Sequence, residues 1–454
     1  MKKYAFWLVF LSLLAVTGFM IITTTFQPLD SLMKPPKVDG ENLSVQLAFE
    51  EKVGTDYILK RPIKGSYRSA YTFIDLTGDK NNEVIVFYSK ADNLGIVRMN
   101  VLINNDGQWE SIADFQSVHY DILEVDFADL NGDGNKEIIV GWTVFEDSYS
   151  KYVRIYEISK NETSYKIYPI YGDNYSMFKA VDLDSNGISD LLTIKHAAAA
   201  GSTEYTASFL SYENRQVTEK ATFVLDRSIN SIGAINCDYI GDSKQARIFV
   251  DGYKTDGGML TDCFVWNSDN NAFARCFVSG NSVASLTART STVFCKDVNS
   301  DGYIEVPMED FLPNISDNNT LARTTNPGTG IITWLWFDGN ESELVESHII
   351  LSQYGYSFRF KQSWLDNVSV ENNTEKSLLT FWSIKYVDGT YVKDKRLFSI
   401  MTLTEIDLEA ISELSFNYTL IDQSKDKYYY CRIFDDAYDY GITRKDIKNR
   451  IILG

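Results

Sequence analysis

Histidine is almost missing from this chain. Its 454 residues contain three, His119, His196 and His348, in different segments and without ligand spacing among them. A histidine-built zinc site, or a catalytic Ser–His or Cys–His pair, has little to start from. Proline is scarce, at 8, and no GxSxG, HExxH or P-loop pattern occurs. Positive charge is in deficit, with 43 Lys and Arg against 62 Asp and Glu and a formal charge of −19. Neutralising phosphates requires clustered Lys and Arg, so nucleic acid and anionic lipid surfaces are disfavoured as partners. Cysteine is limited to five, none in CxxC spacing and none before Cys237.

What is plentiful is strand-forming sequence: 28 Tyr and 26 Phe, with aromatics at 14% of the chain. One pattern recurs five times between residues 70 and 310, an apolar run, an acidic turn and a second apolar run. The copies are Phe73-Ile-Asp-Leu-Thr-Gly-Asp-Lys-Asn-Asn-Glu83, Phe127-Ala-Asp-Leu-Asn-Gly-Asp-Gly-Asn-Lys-Glu137, Val181-Asp-Leu-Asp-Ser-Asn-Gly-Ile-Ser-Asp190, Cys237-Asp-Tyr-Ile-Gly-Asp242 and Lys296-Asp-Val-Asn-Ser-Asp-Gly-Tyr-Ile-Glu305. The first aspartates, Asp75, Asp129, Asp182, Asp238 and Asp297, follow one another at 54, 53, 56 and 59 residues. A near-constant period marks a repeat architecture.

Each repeat resolves into four strands. In the second they are Leu123–Ala128, Glu137–Val144, Tyr152–Ile158 and Tyr165–Ile170, and the continuously apolar Ile138–Trp142 predicts a strand buried on both faces. Four short antiparallel strands per repeat suit a propeller blade. The expected fold is mainly β: a β-propeller of five or six four-stranded blades, a C-terminal α+β domain and an N-terminal transmembrane helix. The expected domains are 1–25 (anchor or signal), 26–56 (tether and short helix), 57–352 (propeller) and 353–454 (α+β). The short helix is placed at Asn42–Val53, with Val45, Leu47 and Ala48 on its apolar side. In the last domain, strands are expected at 356–360, 377–386, 396–403, 414–421 and 427–434, with helices at 405–411 and 444–451, the second closing the chain.

The acidic turns have the spacing of a cation loop. A hard cation such as Ca²⁺ takes six to eight oxygens from a tightly curled loop. Side chains at positions 1, 3, 5 and 9, a carbonyl at 7 and glycine at 6 supply them. The second turn offers Asp129, Asn131, Asp133, Glu137 and the Asn135 carbonyl, with Gly134 at the bend. The third offers Asp182, Asp184, Asn186 and Asp190 with Gly187, and the fifth Asp297, Asn299, Asp301 and Glu305 with Gly302. The first has Asp75, Thr77, Asp79 and Glu83, but Lys80 where glycine belongs. The fourth has Ile240 at position 3 and Ala246 at position 9, and is expected to bind nothing. The simpler alternative is that these Asp and Asn residues only make Asx turns between strands. Structural Ca²⁺ is the cofactor expected.

The strand–DxNGDGxxE–strand unit resembles the FG-GAP/VCBS repeats of integrin-like propellers and many bacterial surface proteins. Leu32-Met-Lys-Pro-Pro36, Ser66-Tyr-Arg-Ser-Ala-Tyr-Thr-Phe-Ile-Asp75 and Gly355-Tyr-Ser-Phe-Arg-Phe360 are similar to segments of surface lipoproteins of Gram-positive, clostridial-type bacteria. The resemblance implies an exported propeller with Ca²⁺ in its loops and a small C-terminal domain, but no established activity. Those lipoproteins carry a lipobox cysteine after the signal, which this sequence lacks, so a lipid anchor is not expected.

Lys2 and Lys3 precede Ala5–Ile22, an 18-residue apolar stretch. Its length favours an uncleaved single span over a cleaved signal, with the lysines cytoplasmic and the remainder outside. Cys263 and Cys276 flank Ser268–Asn271. They are expected directly opposite one another in a hairpin, at a non-hydrogen-bonded pair, where a disulfide is geometrically allowed. Cys237 and Cys295 are not expected to pair.

The function expected is that of a membrane-anchored extracytoplasmic binding or scaffold module, without catalytic activity, whose ligand is an extracellular protein or polysaccharide. Two alternatives stay open. One is a carbohydrate-active enzyme, a Ca²⁺-assisted lyase or hydrolase in which Trp334, Trp336 or Trp364 would stack on sugar. The other is an accessory or sensor subunit of a membrane complex.

Overall fold

The structure, a computed structural model, describes residues 41–144, 151–160, 165–196, 204–241, 244–276, 284–313, 329–337, 342–387, 390–411 and 417–453. The expected span Ala5–Ile22 lies outside the described residues, and no described helix is long and apolar enough to cross a membrane.

The fold is mainly β, built of successive antiparallel sheets. Helix α1 (Glu41–Val53) precedes the first sheet. There β1 (Tyr57–Leu59) and β2 (Tyr71–Ile74) pair with opposite ends of β3 (Glu83–Lys90), and β4 (Asn93–Asn105) and β5 (Gln108–Gln116) follow. The second sheet is β6 (Asp121–Ala128), β7 (Glu137–Thr143), β8 (Lys151–Lys160) and β9 (Tyr165–Asn174). The third is β10 (Met177–Val181), β11 (Asp190–His196), β12 (Tyr205–Glu213) and β13 (Gln216–Val224). The fourth is β14 (Ile229–Ile240), β15 (Gln245–Lys254), β16 (Met259–Asn267) and β17 (Ala272–Arg275). Strands in these three sheets lie side by side in chain order, as the repeat pattern predicts. All seven residues of β7 are buried.

Past the short helix α2 (Ala284–Thr287), the fifth sheet orders β18 (Val306–Phe311), β19 (Gly330–Phe337), β20 (Ser342–Leu351) and β21 (Tyr356–Phe360), and the last strand of the chain, β27 (Ile451–Leu453), pairs with β21. The boundary expected between residues 352 and 353 falls inside this sheet. A sixth sheet comprises β22 (Val368–Asn373), β23 (Leu378–Val387), β24 (Thr390–Thr404), β26 (Lys427–Ile433) and β25 (Thr419–Gln423), accompanied by α3 (Glu405–Ile411) and α4 (Arg444–Arg450). The chain thus closes with a strand, not with the expected helix.

The chain divides into two compact units. One runs to Ile122 and takes in Ser159–Ile167; the other holds Leu123–Ile158 and Tyr168 onward. In the first, Val45 and Phe49 of α1 pack on Val84, Val86 and Tyr88 of β3. Leu47, expected on that apolar side, is 57% exposed, and Phe49 takes its place because positions 45 and 49 are one helical turn apart. In the second unit neighbouring residues of one strand serve different cores. Leu191 packs with Ile139 and Val153 of the second sheet, whereas Leu192 packs with Ile248 and Leu260 of the fourth. Phe249 then meets Val306 and Phe337 of the fifth sheet, and Phe358 meets Phe381 and Phe398 of the sixth. Side chains alternate across a strand, so a strand between two sheets must be apolar at consecutive positions. Each fully buried Leu, Ile or Phe contributes about 1.5–3 kcal/mol.

One expectation about side chains needs correction. Cys263 and Cys276 are directly opposed, but the Cys276 N–H donates to the Cys263 carbonyl at 2.8 Å, which makes the pair hydrogen-bonded. Both are buried free thiols in the core between the fourth and fifth sheets. Trp334 and Trp364 are 1% and 4% exposed, as core rather than sugar-stacking residues would be.

Candidate metal sites

The first four acidic turns each join two consecutive strands, β2 to β3, β6 to β7, β10 to β11 and β14 to β15, and the fifth leads into β18. Position 9 is where the second strand begins, at Glu83 of β3, Glu137 of β7 and Asp190 of β11. In the fifth repeat Glu305 pairs with Lys296 just ahead of β18. These four carboxylates are nearly inaccessible, at most 1% exposed, because the strand carries them into the protein.

The same backbone cage recurs in all four turns. The N–H of position 2 donates to the position-9 carboxylate, from Leu76 at 2.7 Å, Leu130 at 2.8 Å, Leu183 at 3.0 Å and Val298 at 2.8 Å. The N–H of position 6 donates to the position-1 aspartate, from Lys80 at 3.0 Å and from Gly134, Gly187 and Gly302 at 2.9 Å. Position 6 has φ of +87°, +89° and +93° in the three glycine turns, and Lys80 is held at +71°. That left-handed geometry is what glycine at position 6 provides, and the first turn imposes it on a lysine.

The turns differ in how tightly they gather their acids. Among the described residues, Asp182, Asp184 and Asp190 bring ligand oxygens within 4.8 Å of one another, as do Asp297, Asp301 and Glu305. The second turn, which fits the pattern best in sequence, does not reach that spacing. Its Asn131 amide donates to Asp133 Oδ2 at 3.3 Å and Glu137 Oε1 at 3.4 Å. Asn135 donates its N–H to Asp133 Oδ1 at 2.8 Å. In the fifth turn Asn299 donates to Asp301 Oδ2 at 2.8 Å. The first turn, with Asp75, Asp79 and Glu83, does not reach the spacing either.

Burial pushes the position-9 acids far up. Glu83, Asp190 and Glu305 are raised to about 7 and Glu137 to about 8, with the charges of the loop aspartates adding to the burial and the position-2 N–H opposing it. Asp184 is raised by the same principal cause. Oxygens without partners point the same way. Glu305 Oε1 and Asp75 Oδ1 are buried and accept no hydrogen bond among the described residues. Clustered hard oxygens, buried and short of donors, fit a hard divalent cation. The residues that would hold it are those at positions 1, 3, 5 and 9, with the carbonyl of position 7. This donor set does not single out calcium.

Neither a family model nor a curated protein matches the chain.

The fourth turn contains what sequence reasoning missed. Arg247 lies completely buried, and its Nε donates to Asp238 Oδ1 at 2.7 Å while a terminal nitrogen reaches Asp238 Oδ2 and another the Phe337 carbonyl. Phe249, Tyr303, Trp336 and Phe337 surround the guanidinium at 5.1–5.9 Å from ring centre to Cζ. A covalently attached cation thus neutralises the position-1 aspartate of the turn that lacks ligands. A signal was available: position 10 is Val84, Ile138, Leu191 and Val306 in the other turns and arginine only here.

Within the second unit the turns also dock on one another. Ser189, at position 8 of the third turn, donates its N–H to the Asp129 carbonyl at 3.1 Å, and Ile304, at position 8 of the fifth, donates to Asp238 Oδ2 at 2.6 Å. The third and fourth are joined by Tyr239 Oη donating to the Asp182 carbonyl at 2.9 Å and by Ser185 Oγ donating to the Lys244 carbonyl. Turns two to five therefore form one continuous row.

Proposed function

We propose that this chain is a membrane-anchored, extracytoplasmic scaffold or binding module of the FG-GAP/VCBS type. Its sheets are blades of a propeller, and divalent cations, Ca²⁺ first among them, act structurally in the repeat loops. The observation that carries this reading is the row of docked turns with a shared hydrogen-bond cage, two of them gathering three carboxylates within 4.8 Å. Successive sheets sharing cores support blades, and ring closure is part of the proposal. The apolar stretch Ala5–Ile22 supports the anchor and an extracytoplasmic location, with a protein or polysaccharide as the extracellular ligand.

A cation that binds only the folded loops stabilises the fold by mass action, about 2.7 kcal/mol per site at a hundredfold excess over Kd. Chelation is therefore expected to lower the melting temperature of the full-length chain, and added Ca²⁺ to restore it. A melting curve that does not move in EDTA, together with no bound metal by elemental analysis, would remove the structural-cation reading.

A further inference from the structure

The fifth sheet carries a cavity of about 620 Å³ that the acidic turns do not use. Its floor spans four adjacent strands, with Trp334 from β19, His348 and Ile350 from β20, Ser357 from β21 and Ile452 from β27. Ile350, Ser357 and Ile452 are directly opposite one another in register, so they share one face. The segment from Thr292 to Lys296 supplies a wall, and the volume is in the range of small-molecule sites, roughly 300–1,000 Å³.

The polar lining is one-sided. In a chain of formal charge −19, no Asp or Glu among the described residues lines this cavity. Lys296 does, its amine 5.2 Å from the centre of the Trp334 ring, and it forms no ion pair among the described residues. Trp334 is 1% exposed and its Nε1–H has no acceptor among the described residues. Indole nitrogen only donates, so that buried group lacks an oxygen. Glu346, the acid nearest the lining histidine, is already engaged by His348 Nε2 at 2.6 Å and by Arg359 at 3.0 Å. The rest of the lining is mixed: Phe294, Ile350 and the 36%-exposed Ile452 are apolar, and Thr292, Ser352, Tyr356 and Ser357 carry neutral hydroxyls.

We propose that this cavity binds a small organic carboxylate with an apolar or aromatic body. Lys296 Nζ and Trp334 Nε1 take the carboxylate, and Phe294, Ile350 and Ile452 take the body. A charge-assisted bond from the exposed Lys296 is stronger than a neutral one, which gives the site its preference for the anion.

Titration calorimetry on the full-length chain with 4-phenylbutyrate and its uncharged amide tests this. The acid is expected to bind one to one, with the amide and the Lys296→Met variant each weaker by about tenfold. Ser357→Leu, which fills the floor, is expected to abolish binding of both. Absence of acid binding up to roughly 10 mM overturns the proposal, as does equal affinity for acid and amide. Should Lys296→Met fail to fold, Ser357→Leu decides: unchanged acid affinity in a variant with wild-type melting behaviour overturns it.

Discussion

Replacing Arg247 with methionine tests whether the fourth turn is held by its own cation. Methionine keeps most of the unbranched stem and removes the guanidinium. Asp238, whose side chain is 5% exposed, would lose bonds to both oxygens and retain only the Ile304 N–H, and the Phe337 carbonyl would lose a donor. Removing one partner from a buried ion pair is strongly destabilising, about 3–5 kcal/mol, because the other charge is left uncompensated. The four surrounding rings place the loss toward the upper end, since cation–π attraction is worth about 2 kcal/mol or more when desolvated and is not strictly additive. Urea unfolding of the full-length chain, followed by far-UV circular dichroism, would read the loss as a lower midpoint at unchanged slope. The double variant Arg247→Met, Asp238→Leu should recover much of it, because an apolar pair of similar volume removes the buried charge altogether. Added Ca²⁺ should not rescue the single variant, because Ile240 and Ala246 provide no oxygen ligands. A loss below about 1 kcal/mol, or a double variant no better than the single, would refute the reasoning.

Three further outcomes follow from the same geometry. Asp297→Ala with Asp301→Ala should remove most of one ion's stabilisation, as should Asp129→Ala with Asp133→Ala if the second turn closes around a cation; both are read as a smaller Ca²⁺-dependent rise in melting temperature. Gly302→Ala should destabilise by about 1–2 kcal/mol in urea unfolding, because the added Cβ meets open space and the whole penalty comes from φ +93°; Lys80→Gly should move stability the other way. Asp262, buried against Arg275, is raised to about 6, chiefly by burial. A raised folded-state value gives stability that is complete below the ordinary carboxylate range near 3.8 and is lost as pH rises through 6. The stability of wild type relative to Asp262→Asn should therefore fall by about 2 kcal/mol between pH 4 and pH 7, and a pH-independent difference would refute the assignment.

Much of the fold is legible in the sequence because local and tertiary signals agree there. The strands of the second repeat, the strand Tyr57–Leu59 and the helix Glu405–Ile411 sit where their apolar patterns and turn residues place them. β22 is not legible in the same way: Val368-Ser-Val-Glu-Asn-Asn373 is short and half polar, and it is held by pairing with β23, which no local pattern announces. The strand Ile451–Leu453 is likewise created by β21, about ninety residues earlier in the chain. At the turns, spacing reveals which residues share a loop but not how closely their oxygens approach. The third and fifth gather their acids while the second, with the fuller motif, does not, and an asparagine amide lies on an acid in both the second and the fifth.

Arg247 changes what the row of turns needs. Each turn places a position-1 aspartate beside its neighbour's backbone, and the docking bonds from Ser189 and Ile304 end on Asp129 and Asp238 themselves. A row of such aspartates repels itself unless positive charge is supplied at each step. In the fourth turn the chain supplies it covalently, so the charge is present whatever the solution contains. The third and fifth turns, on either side of it, gather carboxylates instead and leave Glu305 Oε1 without a donor. It follows that the requirement of the architecture is for positive charge at the turn, and that a metal is one way of meeting it. The fourth turn should then hold its place in the row when chelation loosens its neighbours. Amide exchange at Ile304, whose N–H is bonded to Asp238, should stay slower in EDTA than exchange at Gly302, whose N–H is bonded to Asp297. Equal loss of protection at the two would mean that the row depends on the metal throughout.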